Sequence, residues 1–320
     1  MDLWRRALIL AGGATAAAVV GYVGASWYVY RLLTRAEAHC PGDLPQDPMS
    51  FTIEGVDTSP YRMPPPEDVT FPSRDDPDVT ISAFWEPSSV RRDAPAVIVV
   101  HGQSSCKRHA ENLLAAGMLH RAGFSVLLID LRDHGDSTIV DGRFAGGTDE
   151  YRDVLGAHDW LRARSVPPER VAVMGTSLGA ATSMIAFGEE PGLAAVWADS
   201  SYADVEETIH DELIRNGLPT FLAPGGVLVG RFLGVDLLAF SPLAATAKAK
   251  GRPIFITHGA LDDRLPVRYA FQLAAGVRLA GGRVEPWVVP GAGHTKASRL
   301  VPDEYERRLV EFFKGALGTP

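Results

Sequence analysis

The feature that most restricts the fold is a series of short, apolar, β-branched runs. "APAVIVVHG" (94–102), "FSVLLIDLR" (124–132), "RVAVMG" (170–175) and "LAAVWADS" (193–200) lack the polar alternation of a half-exposed strand. Such runs suit strands buried on both faces, as in a parallel sheet. Helical stretches separate them. One lies around residues 109–122. Another is "TDEYRDVLGAHDWLRARS", with Thr148 as a candidate N-cap and Val154, Leu155, Ala157, Trp160 and Leu161 at helical spacing. Strand and helix thus alternate from Ala94 to Ser200, which predicts an α/β chain with helices on both faces of a mostly parallel sheet. The pattern resumes with "RPIFITHG", a helix over 267–279, "VEPWVVPG" and a helix over 303–315. Between Ser201 and Gly251 the alternation stops, so residues 201–251 read as a helical insertion. Two earlier strands, "DVTFPS" and "VTISAFWEP", flank an Asp-rich turn.

Ahead of this domain, residues 1–35 hold about 24 uncharged residues between Arg6 and Arg31, enough to cross a hydrocarbon core of ~30 Å. Trp4, Trp27, Tyr28 and Tyr30 sit near the ends, where amphipathic rings favour a membrane interface. This predicts a single-pass N-terminal anchor. The alternative is a cleaved signal segment, with "GAS" or "AEA" as small-residue cleavage sites. Arg5 and Arg6 on one flank balance Arg31 and Arg35 on the other, so orientation is not legible. Residues 36–66, rich in Pro and Asp, read as a linker, and the domain proper as residues 67–320. A formal net charge of -8, with no Lys/Arg block, argues against a nucleic-acid partner. Cys40 and Cys106 fit neither metal-ligand spacing nor a disulfide framework, and as two free thiols they leave the compartment open.

Ligands in open parallel sheets sit beyond the carboxyl ends of the strands. The reactive residues just after predicted strands are His101, Gly102, Gln103, Asp130, Ser177, Asp199, Asp262 and His294. Ser177 lies in "GTSLG", between a strand and a helix. A serine held on a sharp turn becomes a nucleophile if a base stands beside it. Of nine histidines, His109, His120 and His158 fall in predicted helices. His39 falls in the linker, His134 in a Gly/Asp loop and His210 in the insertion. His101 and His258 end strands and read as structural. His294, in "VVPGAGHTK", follows the last strand on a glycine-rich loop that lets it reach the sheet's edge.

Together "HGQSS", "DLRDHGDS", "GTSLG", "HGALDDRLP" and "GAGH" resemble the α/β-hydrolase superfamily over about residues 68–315, in that superfamily's order and each following a predicted strand. The nearest likeness is to bacterial membrane-anchored or secreted hydrolases of the esterase, lysophospholipase and S9-peptidase-like kind. The resemblance implies an α/β-hydrolase fold with Ser177 as nucleophile, His294 as base and Asp262 as acid, Leu265 standing where the pattern usually has Val. Asp199 and Asp263 remain alternatives for the acid. It also implies an oxyanion hole from the backbone N–H groups of Gln103 and Leu178. Such a site needs no metal or cofactor. The insertion would be a cap, and its apolar stretch over 218–243 would suit an acyl chain or else pack a core of its own. The expected activity is hydrolysis of carboxylic esters or thioesters of small molecules. The alternatives are a small-peptide amidase or peptidase of the same fold, and a non-catalytic scaffold that kept it. The short segment between anchor and core holds no substrate-gating domain, which favours the ester reading.

Overall fold

The computed structural model describes residues 3–37, 40 and 46–318, and the chain divides into two compact units. The smaller comprises Met1–Arg35 and Val205–Ala239, the larger Ala36–Asp204 and Phe240–Pro320. The side chains of Arg5 and Arg6, and His39 of the expected linker, lie outside the described residues.

In the smaller unit the apolar N-terminal run forms one long helix, α1 (Leu3–Thr34). Its stretch Leu10–Thr34 is long and apolar enough to cross a membrane.

The larger unit opens with an antiparallel pair, β1 (Glu67–Ser73) and β2 (Asp76–Glu86). Then come β3 (Ala96–Val100), α2 (Ala110–Arg121), β4 (Ser125–Ile129) and α3 (Tyr151–Ala163). These are followed by β5 (Val171–Thr176), α4 (Leu178–Glu189) and β6 (Val196–Asp199). The eight-stranded sheet has the order β1-β2-β4-β3-β5-β6-β7-β8, completed by β7 (Ile254–Gly259) and β8 (Trp287–Val289). β2 pairs antiparallel with β4, and every junction from β4 to β8 is parallel. β3 and β4 are buried at every position, as their unbroken apolar sequences require. This is the α/β-hydrolase fold.

Between β6 and β7 the chain first returns to the smaller unit as α5 (Val205–Arg215) and α6 (Ala223–Phe232). It then re-enters the larger unit as α7 (Pro242–Ala247), which packs on α4 with Ala245 close to Gly188. The excursion is therefore narrower than the expected 201–251. α8 (Arg268–Leu279), α9 (Ala297–Leu300) and α10 (Pro302–Leu317) complete the fold. Trp197 of β6 stacks on Phe255 of β7 at 3.9 Å and meets Tyr305 and Phe312 of α10 edge-on, which fixes α10 to the sheet.

Three local expectations are corrected. Helix α3 starts at Tyr151, and Thr148 caps nothing: its hydroxyl donates to Ala145 O instead. Residues 46–66 of the segment read as a linker form a strap packed on the domain. Phe51, Ile53, Tyr61 and Met63 enter the hydrophobic core, and Tyr61 donates to Glu306, which Arg121 also grips. Cys40 and Cys106 are joined in a disulfide, with Cα atoms 5.2 Å apart across a separation of 66 residues. The bond ties the chain ahead of the strap to the loop after β3.

Closing a long loop restricts the unfolded chain. Replacing Cys106 by Ser should therefore lower the unfolding free energy by about 2–4 kcal/mol. Chemical denaturation would show a lower midpoint, and an unchanged midpoint would mean that packing alone holds the strap.

Candidate active site

Ser177 joins β5 to α4 in a conformation that L-residues rarely adopt, with φ 54° and ψ -121°. Its N–H still donates to Asp199 O at 2.8 Å, so the strand runs in register to the turn itself. The flanking glycines serve close approach and not their own φ, since neither is at positive φ. A Cβ on Gly175 would stand 2.2 Å from Gly179 O, and one on Gly179 would stand 2.3 Å from His101 O. Any side chain there would push α4 off the sheet, and the serine would lose its turn. Leu178 is the first residue of α4, so its N–H lies among those with no intrahelical acceptor. The helix end also favours developing negative charge.

His294 is brought to this turn by the loop after β8. Its Nε2 lies 2.8 Å from Ser177 Oγ, and its Nδ1 lies 2.8 Å from Asp262 Oδ2. An ionised carboxylate can only accept, so Nδ1 carries the proton and Nε2 is left to accept from the serine hydroxyl. Asp262 is itself fixed: its Oδ1 accepts from the N–H groups of Arg264 and Leu265. Burial pushes the Asp262 carboxyl up, but bonds from His258, His294 and the Leu265 N–H more than offset this and hold it well below the usual carboxylate range. The loops carrying Asp262 and His294 are sewn together by Ala260 N–H to Val289 O and Leu261 N–H to Ala292 O.

The other candidates fall elsewhere. Asp199 is buried and takes hydrogen bonds from Ser200 Oγ and Tyr305 Oη at 2.9 Å. Burial raises its pKa, and its partners only partly counter that. Asp130 is bound to the fully buried Lys107, accepting from both its N–H and its Nζ, which anchors the loop after β3 to the loop after β4. His101 takes the Leu131 N–H on Nε2, so its Nδ1 donates to Gly102 O at 2.7 Å. Burial holds its pKa well below the ordinary value, so it is a neutral structural histidine.

Gly102 packs directly on the nucleophile candidate, since a Cβ there would lie 3.2 Å from Ser177 Cβ. The next residue, Gln103, turns its side chain to Arg264, which donates to Oε1 at 2.7 Å. That bond ties the expected oxyanion loop to the Asp262 loop. Sequence reasoning missed Arg264, and it missed that His258 contacts Asp262 Oδ2 at 3.2 Å while bonding Leu265 O at 2.8 Å. The His-x-x-x-Asp spacing in "HGALD" was the available signal. Among the described residues no group of three or more His, Cys, Asp or Glu side chains is arranged to hold a metal ion.

A model of the prolyl oligopeptidase family, peptidase family S9, matches residues 114–320. An uncharacterized protein of Mycobacterium tuberculosis strain H37Rv is 27% identical over 259 residues, spanning 78% of this chain and 81% of that protein. Among solved structures, the Pyrococcus furiosus esterase Pf2001 superposes with a TM-score of 0.64 at 23% identity, covering 84% of this chain and 99% of the esterase. Pyrococcus horikoshii acylaminoacyl peptidase gives 0.58 at 17% identity, covering 80% of this chain and 42% of the peptidase. At these identities the structural likenesses establish a shared fold.

Asp262 and Asp199 can be separated as acid candidates experimentally. Asp262→Asn should cut kcat on the order of 10⁴-fold, the scale of loss when a histidine's tautomer is no longer held. Asp199→Asn should chiefly lower stability and leave the activity of the folded fraction within about tenfold of wild type, because His294 Nδ1 is bonded to Asp262 while Asp199 is engaged by Ser200 and Tyr305. Steady-state kinetics on folded protein decides, and the reverse order would move the acid to Asp199.

Proposed function

The chain belongs to the prolyl oligopeptidase family of the α/β-hydrolase superfamily, and on that premise we propose that it is a membrane-anchored serine hydrolase of carboxylic esters or thioesters. The observation that carries the reading is the continuous series Ser177 Oγ, His294, Asp262, with both steps at 2.8 Å. Ser177 attacks the acyl carbonyl while His294 Nε2 takes its proton. The Leu178 and Gln103 N–H groups receive the oxyanion. His294 then protonates the departing alcohol or thiol, and Asp262 stabilises the imidazolium. Water, deprotonated by the same histidine, releases the acid and restores Ser177.

Two further observations shape the proposal. The chain superposes on nearly the whole Pf2001 esterase, and that likeness supports an ester substrate. The disulfide, close after α1 in sequence, supports an anchor whose catalytic unit faces an oxidising compartment. A second reading, cleavage of small peptides or amides, is favoured by the family match itself.

Kinetics on p-nitrophenyl butyrate and alanine p-nitroanilide test the proposal. The ester should be turned over with the higher kcat/KM, and Ser177→Ala or His294→Ala should lower it by about 10³-fold or more. Preference for the anilide would establish the peptidase reading. Turnover of neither by folded protein would favour a scaffold.

A further inference from the structure

The packing of α1 changes abruptly along its length. From Leu10 to Gly24 every residue is exposed, whereas Ser26, Val29 and Tyr30 are buried. The change coincides with the arrival of α6, whose glycines face α1. A Cβ on Gly225 would lie 2.0 Å from Ser26 Oγ, and one on Gly226 would lie 2.9 Å from Val29 Cγ1. Gly230 sits under the Tyr30 ring. Small residues let two helices approach to backbone contact. The uncharged run begins at Ala7, and from there to Gly24 the helix rises about 27 Å at 1.5 Å per residue, close to the ~30 Å of a hydrocarbon core. If α1 is the anchor proposed above, the bilayer surface therefore falls near Tyr22–Gly24.

The turn between α5 and α6 reaches that level. The Phe221 ring stacks on Tyr22 with centroids 6.4 Å apart and planes 16° apart, and Tyr22 Oη donates to Phe221 O at 3.3 Å. Phe221 is nevertheless 66% exposed and Ile214 65% exposed. Between residues 214 and 230 the only charged side chain is Arg215, a cation paired with Glu212 yet still partly exposed. An aromatic and an aliphatic tip beside a partly exposed arginine suit the interfacial zone, where rings sit among headgroups and cations meet lipid phosphate.

We propose that the Ile214–Phe221 turn is a second membrane contact, seated in the headgroup layer of the bilayer that α1 crosses, with Phe221 as its inserting side chain. The inference rests on the anchor reading. The exposed span of α1 sets the depth, and the glycine face of α6 holds the turn at that depth. Phe232, beyond the Tyr30 contact, stands clear of the lipid.

The test uses the full chain in phosphatidylcholine vesicles, with single cysteines placed by Val20→Cys, Phe221→Cys or Phe232→Cys and labelled with nitrobenzoxadiazole. The native cysteines are disulfide-bonded and take no label. Lipids brominated near the headgroup or deep in the chain report position. The expected result is deep quenching at residue 20, shallow quenching with a blue shift at 221, and a water-like spectrum at 232. A water-like probe at 221 with residue 20 quenched overturns the inference while leaving the anchor intact. A water-like probe at residue 20 overturns the anchor and the inference with it.

Discussion

The contact on which the candidate site depends is the passage of α4 across the ends of β3 and β5 at van der Waals distance. Gly179 lies where any Cβ would strike the carbonyls of Val100 and His101, and Gly175 where any Cβ would strike Gly179. This closeness allows the chain to reverse within one residue, at Ser177, and the surrounding hydrogen bonds hold that residue at positive φ. Backbone strain of this kind costs about 1–3 kcal/mol and persists only where the structure around it over-determines the conformation. The yield is a hydroxyl at the tip of the sheet, at the head of a helix, with its direction fixed.

The loops that complete the site are bound to one another rather than left to find their places. Lys107 fastens the loop after β3 to Asp130, His101 sets the Gly102 carbonyl, and Arg264 joins Gln103 to the Asp262 loop. Asp262 carries two histidines and two backbone N–H groups, so neither of its oxygens is idle. Preorganised donors of this kind stabilise developing charge without reorganising during the reaction. The disulfide extends the same logic outward, since Cys106 precedes Lys107 and ties this loop to the chain ahead of the strap.

How much of this was legible follows from the range of each signal. Buried parallel strands announce themselves by composition, so β3 to β7 could be placed from runs such as "AVIVV"; the strand ends offered Ser177 and His294 among several reactive residues, and only the family resemblance favoured Asp262 over Asp199 and Asp263. The strap could not. Phe51, Ile53, Tyr61 and Met63 are single apolar residues spaced among Pro and Asp, and only the groove they fill reveals their purpose. Two cysteines far apart in sequence carry no information on pairing until the fold brings their Cα atoms to 5.2 Å. Gly225, Gly226 and Gly230 read as helix weakeners, because their value lies in a partner helix some 200 residues away. The contact of His258 with Asp262 was hidden by the same strand-end position that made it look structural.

Whether Ser177 is an activated nucleophile is tested most directly by covalent labelling. The purified chain would be treated with a fluorophosphonate, and the adduct located by intact mass and peptide mapping. The expected result is one phosphonyl group per chain, on Ser177, absent from Ser177→Ala and His294→Ala. A folded wild-type chain that takes no label, or that carries it on another residue, would contradict the mechanism.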